Sequence, residues 1–198
     1  VSEVIKAAQK EAADLIVIGR SQKGVLEQLY SGSDVTELLH RAAIPVLVYK
    51  YVSENSIAIE RPFEKPLLAV DWSPASLKAV EYLKVLKGIA HEINVIHVVG
   101  EKALKGVNSM EIQKTRKATR SKLEQICETF EDQGIAARSH VYVGEPAAEI
   151  ERAARECQAT MIVLGSSGKA SWMERWLGYP NHHCLSKLPR MRTATSLL

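Results

Sequence analysis

The chain has 198 residues, of which 46% are hydrophobic and 25% are charged, and its formal net charge is +3 at pH 7. This length and composition are typical of one or two globular domains with a hydrophobic core. The small net charge, without a basic stripe interleaved with aromatic residues, argues against nucleic-acid binding. No apolar run approaches the ~18 residues that cross a bilayer, and no signal-peptide pattern is present, so no membrane partner is expected.

Three widely spaced cysteines, an odd number, argue against a disulfide framework: Cys127, Cys157 and Cys184. They favour a reducing, cytoplasmic setting, and the first two are expected to pack helices. The chain starts at Val1, inside a predicted helix, as expected of a fragment or an incomplete gene model.

The N-terminal part begins with a predicted helix from Ser2 to Glu11, followed by a short apolar strand that ends at Gly19. Another helix is predicted after Gly32, and the apolar run Pro45–Tyr49 predicts a further strand. Residues 51–64 are polar and contain proline, which is typical of a linker.

The next part begins with an apolar strand, Pro66–Asp71, of the kind that is covered on both faces. Ser73 and Pro74 then predict a helix N-cap followed by proline at the first helical position. This helix is expected to stop near Gly88, and Glu92–Val99 reads as a second strand. The inner stripe of the helix is predicted to contain Leu77, Val80 and Leu83.

A long helix is predicted from Ser109 to Phe130, closed by Gly134. The strands Ala136–Val143 and Thr160–Leu164 flank a helix predicted from about Ala147 to Cys157. Strands that alternate with helices in this order indicate an α/β fold with a doubly wound parallel sheet and right-handed crossovers. The inner face of the long helix is predicted to contain Leu123, Ile126, Cys127 and Phe130.

The chain repeats itself, because residues 3–32 align with residues 149–178 without a gap at a constant offset of 146. A repeat of this length indicates two tandem copies of one domain and not a solenoid. The first copy, residues 1–50, holds only the C-terminal half of the pattern, so its first three strands are expected upstream. The second copy, residues 65–178, is expected to lack its last strand.

Similarity between the copies stops abruptly at Gly178. We hypothesise a reading-frame slip there, which would make residues 179–198 an aberrant tail; an intact frame on resequencing would refute it. The tail contains His182, His183 and Cys184, but their spacing does not suit a closed zinc site, so no metal is expected. Four cations of the long helix are expected to form a solvated face: Lys114, Arg116, Lys117 and Arg120.

Three glycines follow the strand that ends at Leu164, in the pattern Gly165-x2-Gly168-x9-Gly178. At Gly168 the missing Cβ would let the backbone approach phosphate oxygens, and Gly178 would open a helix whose N-terminus favours anions. A single glycine-rich turn after a strand is often only a tight connection, so both interpretations stay open on these residues alone.

With these motifs the chain resembles the universal stress protein family. The resemblance rests on Val70-Asp71 followed by Ser73-Pro74, on the strand that ends in His97-Val98-Val99, on the turn that begins Gly144-Glu145-Pro146, and on the glycine loop. It covers residues 65–178 and 1–50, and it implies a Rossmann-like, adenine nucleotide alpha hydrolase-like fold. The chain looks like a piece of a tandem member.

The resemblance implies that the second copy binds ATP or a related adenine nucleotide, with or without Mg²⁺. Asp71 and Val98 would flank the adenine and ribose, at the carboxyl ends of the first two strands. The phosphates would be held by the loop residues Gly165, Ser166, Ser167, Gly168, Lys169 and Gly178.

Two positions depart from the family pattern. Tyr179 stands where nucleotide-binding members have Ser or Thr after the third glycine, so a hydroxyl donor is lost or displaced. In the first copy Gln22 replaces the middle glycine, and its side chain is expected to crowd the phosphates. That copy is therefore expected to bind nucleotide poorly.

Purely structural interpretations of these residues remain beside the functional ones. Asp71 could simply cap the next helix, and His97 is expected to be a core residue and not a catalytic base. No Walker lysine-serine pair and no acidic metal-holding pair is evident, so no enzyme is expected and a role in stress signalling is favoured. The rival is a nucleotide-free scaffold that pairs with another copy, or with its own other domain, through fifth strands such as Val46–Val48.

Overall fold

The computed structural model describes residues 1–20, 32–50, 61–100, 106, 108–165 and 195–196. In the N-terminal part, β1 and β2 form a two-stranded parallel sheet in which Ile16 pairs with Val46. The four elements of this part, which agree with the predicted helices and strands, are α1 (Ser2–Lys10), β1 (Ile16–Arg20), α2 (Gly32–Arg41) and β2 (Val46–Lys50).

The remaining strands form a second, five-stranded sheet in the order β5-β4-β3-β6-β7, and every neighbouring pair in it is parallel. This confirms an α/β fold with a parallel sheet. A single turn of 3-10 helix, Lys84–Leu86, extends α3. The elements are β3 (Pro66–Ala69), α3 (Pro74–Leu83), β4 (Glu92–Gly100), α4 (Ser109–Glu131), β5 (Ala136–Gly144), α5 (Pro146–Glu156), β6 (Met161–Leu164) and β7 (Thr195–Ser196).

Side-chain caps and glycine set the helix ends, and the sequence predicts Ser73, Pro74 and Gly134 in these roles. The Ser73 hydroxyl oxygen accepts a hydrogen bond from the Ser76 amide at 3.2 Å, and Pro74 is the first residue of α3. Asn108 caps α4 in the same way. Gly134, with φ +76°, supplies the left-handed residue that follows α4.

Both faces of the five-stranded sheet are covered, because the adjacent residues Leu67 and Leu68 point to opposite faces and both are fully buried. On one face α3 and α4 pack through Leu83, Leu123 and Phe130. On the other face α5 packs over the sheet, and residues of β2 join the same apolar cluster. The members of this α5-side cluster include Ile16, Val46, Val48, Leu67, Ile96, Ile150, Ile162 and Leu164.

Leu77 does not lie on the inner stripe of α3, and that prediction is wrong. Its side chain is 44% exposed. The buried face of α3 is shifted by one position, so that the small side chains of Ser76 and Ala79 face the sheet together with Val80 and Leu83. Small residues at these positions let the first turn of α3 come close to the neighbouring backbone.

The ends of α1 and α5 match at the offset of the sequence repeat. Ala12 and Gln158 both adopt left-handed backbone conformations, with φ of 50° and 51°. In both cases the amide of the following residue donates to the carbonyl five residues before it, at 2.9 Å. The same local structure therefore recurs at positions 146 residues apart.

A two-residue strand occupies the place where the second copy is predicted to lack one. This strand, β7, pairs in parallel with Ile162 and Val163 of β6. It also lies beside β2, so strands from the two parts of the chain come together there. Among the described residues, no helix has the length and apolar character needed to span a membrane.

Candidate functional site

The carboxyl ends of three adjacent strands meet at one edge of the sheet. β3 pairs with both β4 and β6, and the chain order reverses between β3 and β6. Asp71 lies two residues beyond the end of β3, and Gly165 follows β6 directly. Val98 lies in β4, two residues beyond Ile96, which pairs with Ala69 at the end of β3. The structure therefore brings Asp71, Val98 and Gly165 to one edge, at the type of position where open α/β sheets bind ligands.

The other predicted site residues fall outside the described residues. They are Ser166, Ser167, Gly168, Lys169 and Gly178, together with the departures at Gln22 and Tyr179. The tail residues His182, His183 and Cys184 also fall outside them. The placement of these side chains stays a prediction.

The carboxylate of Asp71 is held by the serine two residues further on. Its Oδ1 accepts hydrogen bonds from the Ser73 amide at 3.0 Å and from the Ser73 hydroxyl at 2.5 Å. The same hydroxyl oxygen caps α3, so one serine fixes both the carboxylate and the helix start. The Asp71 side chain is exposed and can reach a ligand at the edge.

A second serine ties the backbone of this turn together. The Ser76 hydroxyl donates to the Ser73 carbonyl at 3.0 Å, and its oxygen accepts from the Asp71 amide at 3.3 Å. Ser76 is 1% exposed. Because this buried hydroxyl both donates and accepts, the turn that carries Asp71 is held in a single arrangement.

Hydrogen bonding sets the charge of Asp71. Partial burial alone would raise its pKa, but the hydrogen bonds from Ser73 and Ser76 outweigh burial and hold the pKa of Asp71 below its ordinary value. The carboxylate is therefore ionised at neutral pH and can only accept hydrogen bonds.

Gly165 touches the first turn of α3. A Cβ built on Gly165 would lie 2.2 Å from the backbone nitrogen of Ser76 and 2.5 Å from the carbonyl carbon of Ala75. Both contacts are with backbone, which cannot rotate away as a side chain can. Glycine is thus required for close packing of the β6 end against α3, in addition to any role toward a ligand.

Trp72, next to Asp71, has φ +65°, which is unusual for a bulky residue. Its ring lies 5.4 Å from the ring of His97 and 5.6 Å from the ammonium nitrogen of Lys122. His97 is half-buried, and its Nδ1 donates to the Val70 carbonyl at 2.7 Å. His97 therefore packs beside Trp72 and Val70, half-buried and outside the fully buried core.

The edge combines the ionised carboxylate of Asp71, the apolar side chain of Val98 and the backbone of Gly165, which packs closely against α3. Val98 is half-buried and packs against the α5-side cluster. Within the described part of the chain, no group of three or more His, Cys, Asp or Glu side chains could hold a metal ion.

Sequence reasoning identifies Ser73 as a helix cap but misses its bond to Asp71, and it misses Ser76 and Trp72 altogether. The spacing Asp-x-Ser-x-x-Ser is the available signal, because it places both hydroxyls over the start of α3.

Fold and edge together define an α/β protein with a parallel sheet and a candidate site where the strand order reverses. The model of the "Universal stress protein family" matches residues 1–50 and 62–191. The chain therefore belongs to the universal stress protein family.

Individual relatives agree with this. The chain is 26% identical over 145 residues to Universal stress protein MJ0577 of Methanocaldococcus jannaschii, covering 63% of this chain and 90% of that protein. It is 31% identical over 134 residues to Universal stress protein YxiE of Bacillus subtilis, covering 61% of this chain and 90% of that protein.

A solved structure aligns with both parts of the chain. A universal stress protein from Archaeoglobus fulgidus superposes with a TM-score of 0.62 at 25% identity, and the alignment covers 99% of this chain. The chain spans 63% of the length of that protein.

Proposed function

We propose that this protein binds ATP or a related adenine nucleotide at the carboxyl edge of its five-stranded sheet and acts in stress response by retaining the nucleotide, not by catalysis. A cytoplasmic location is part of this proposal. Family membership supports it, since some universal stress proteins bind ATP.

One observation carries the proposal: Asp71 and Gly165 meet at the point where the strand order reverses. A ligand there would contact residues from two strands that are distant in sequence. The ionised Asp71 carboxylate is preset by Ser73 before any ligand arrives, which lowers the cost of ordering it on binding.

Each site residue has a proposed task. Asp71 would accept a hydrogen bond from the adenine amino group or a ribose hydroxyl, and Val98 would cover an apolar face of the ligand. The phosphates would rest on backbone amides of the glycine loop, with Mg²⁺ neutralising part of their charge when bound. The loop residues in this role are Gly165, Ser166, Ser167, Gly168, Lys169 and Gly178.

We further propose that the chain is part of a tandem protein. Residues 1–50 would be the C-terminal half of a first domain, 51–64 a linker, 65–178 a second domain and 179–198 an aberrant tail. Two observations support the tandem arrangement. The family model matches two separate stretches, and the left-handed residues Ala12 and Gln158 are separated by the repeat offset. Because Gln22 replaces a loop glycine, the first domain would bind nucleotide weakly.

Calorimetric titration of ATP into the full chain tests the binding site. Asp71→Asn keeps the shape of the side chain but removes its charge, and Gly168→Arg fills the loop. Each should weaken ATP binding at least about tenfold, by loss of a charge-assisted hydrogen bond or by steric block. Asp14→Asn, the same change at an exposed position of the first part, is the matched control. Equal affinities for Asp71→Asn and the parent protein would refute the assigned site.

A separate measurement addresses catalysis. After long incubation with ATP, product analysis should show little hydrolysis, and the little that occurs should not change in Asp71→Asn. Rapid ADP release that depends on Asp71 would instead indicate an enzyme.

A nucleotide-free pairing scaffold is the second candidate. One observation favours it: β2 lies beside β7, and its buried residues Val46 and Val48 share the α5-side cluster with Ile162 and Leu164. A fifth strand such as β2 would then pair two domains of one chain or two copies. Val48→Asp should disrupt this pairing, and the scaffold is preferred if ATP binding is absent while pairing persists in the parent protein.

A further inference from the structure

Helix α4 is much longer than the part of it that is packed. It spans 23 residues, yet all its buried residues lie in its second half: Leu123, Ile126, Cys127 and Phe130. Residues 109–122 contain no buried side chain. Since Lys122 reaches Trp72 at the carboxyl edge of the sheet, the preceding turns of α4 extend past that edge.

Charge is segregated along this helix. Residues 109–122 carry five cations and one acidic residue, whereas residues 123–131 carry three acidic residues and no Lys or Arg. The cations are Lys114, Arg116, Lys117, Arg120 and Lys122, and the later acidic residues are Glu124, Glu128 and Glu131. The acidic half of the helix affects the Cys127 thiol. Burial, followed by the negative charges of Glu131, Glu124 and Glu128, raises the pKa of this thiol to about 11.

This arrangement runs against the helix dipole. Acidic side chains stabilise a helix near its N-terminus and basic ones near its C-terminus, but here the two are reversed along most of the helix. Among the described residues, the only ion pair formed by α4 side chains joins Arg120 to Glu124, at 3.0 Å. The segregated charges therefore do little for the stability of α4 itself.

Five of these charged residues share one face of α4 with Ser121. These residues lie at positions 114, 117, 121, 124, 128 and 131, so the steps between them are three, four, three, four and three residues, the spacing of a coiled-coil seam. All six side chains are exposed. We name this set the α4 stripe: Lys114, Lys117, Ser121, Glu124, Glu128 and Glu131.

We propose that the α4 stripe binds a second copy of this chain, with the two α4 helices side by side and antiparallel. The order of charges along the stripe carries this assignment. With the two-fold axis between positions 122 and 123, Lys117 faces Glu128 of the partner subunit and Lys114 faces Glu131 of the partner subunit. Ser121 then faces Glu124 of the partner subunit, so one axis satisfies all three pairs and their symmetry mates.

A second copy fits the stripe better than an unrelated acidic protein. An acidic partner would satisfy Lys114 and Lys117 but would repel the carboxylates of Glu128 and Glu131. An antiparallel copy satisfies both halves and also opposes the two helix dipoles favourably.

The stripe contains no large apolar side chain, so the contact depends on exposed ion pairs. We therefore expect weak association that is lost as salt screens the charges. This contact is independent of nucleotide binding and of the fifth strands.

Analytical ultracentrifugation of the full chain, over a concentration series at low and high salt, tests the contact with two charge reversals. Lys117→Glu places a carboxylate against Glu128 of the partner subunit, and Glu128→Lys places two lysines together. Each variant alone should associate at least about tenfold more weakly than the parent protein at low salt. An equimolar mixture of the two variants should regain the association, because the reversed position of one variant then meets an opposite charge on the other.

The restoration in the mixture separates this contact from a general effect of net charge. Lys87→Glu makes the same charge change at an exposed position off the stripe and should associate like the parent protein. Circular dichroism should show all variants folded, since both reversed positions are exposed. Parent protein that does not associate at low salt, or a mixture no heavier than its separate components, would overturn the proposal.

Discussion

The two parts of the molecule that align at an offset of 146 residues have the same local structure at their helix ends but different burial. At positions 146 residues apart, Ala12 and Gln158 end their helices with φ of 50° and 51°. In the strands that follow, Val17 is 61% exposed whereas its counterpart Val163 is 2% exposed. Short stretches of sequence therefore determine the elements, while the neighbouring strands and helices determine which side chains form a core.

The cause of the difference is visible in the sheets. β6 has a strand on each side, and α3 packs on its Val163 face. β1 is paired only with β2 among the described residues. Leu15, at 41% exposed, and Met161, at 5%, differ in the same way.

The most severe test of this comparison is a charge placed at the same point of both strands. Val163→Asp puts a carboxylate into the core and should cost more than about 4 kcal/mol of unfolding free energy, enough to unfold the sheet. Val17→Asp should change stability by no more than about 0.5 kcal/mol, because its side chain is in water. Urea unfolding monitored by circular dichroism measures both free energies. Similar losses of stability in the two variants would contradict the different burial of Val17 and Val163.

The two glycines that follow these strands give the next largest contrast. Gly19 has nothing within 4 Å of a built Cβ, whereas the Cβ at Gly165 would meet the backbone of Ala75 and Ser76. Gly165→Ala should therefore cost about 1–3 kcal/mol through overpacking, and it should weaken nucleotide binding at the shifted edge.

Gly19→Ala is the matched control, and we expect it to be close to neutral. Thermal unfolding of the two variants, with ATP titration of whichever stays folded, makes the measurement. If the Gly165→Ala protein proved as stable as the Gly19→Ala protein, the close contact between β6 and α3 would be contradicted.

Much of the fold follows from local signals. Ser73 and Pro74 predict the start of α3, Gly134 predicts the end of α4, and the spacing of Leu123 and Phe130 predicts its inner face. Each of these depends on interactions within a few residues, or on a periodicity that the helix itself imposes, so one stretch of sequence contains the information.

The features that sequence reasoning misses depend on distant contacts. Leu77 fits a helical stripe, yet the close approach of Gly165 selects the smaller Ser76 for the buried face. Trp72 adopts φ +65° beside His97, and no local pattern requires this of a tryptophan. At the candidate site, Asp71 is predictable from its strand end, but its bonds to Ser73 appear only once the turn is built.

Ser73→Ala tests the turn that carries Asp71. This turn has no counterpart in residues 1–50, because those residues align only with positions after 146. The loss of the cap should cost about 1 kcal/mol at neutral pH. It should also raise the pKa of Asp71 from its lowered value, because burial would remain and the hydroxyl bond would be gone.

The pH dependence has a definite sign. A carboxyl whose pKa is lowered by folding stabilises the protein at pH values above its ordinary pKa of 3.8, and this contribution is lost as pH falls through the lowered pKa. The difference between parent protein and Ser73→Ala should therefore be larger at neutral pH than in strong acid. Ser73→Thr keeps a hydroxyl and should behave like the parent protein; a Ser73→Ala defect that does not vary with pH would remove the role assigned to the Asp71 bond.

The smallest expected effect is also the one in which the two parts should be equal. Ala12→Gly and Gln158→Gly each relieve a left-handed residue, and each should gain about 0.5–1 kcal/mol of unfolding free energy. The gains should agree because the two helix ends have the same φ and the same capping hydrogen bonds, whatever packs around them. Hydrogen exchange of the capping amides measures each end separately. A gain at Gln158 with none at Ala12 would mean that the surrounding core shapes even the helix ends, and the division between local structure and burial would fail.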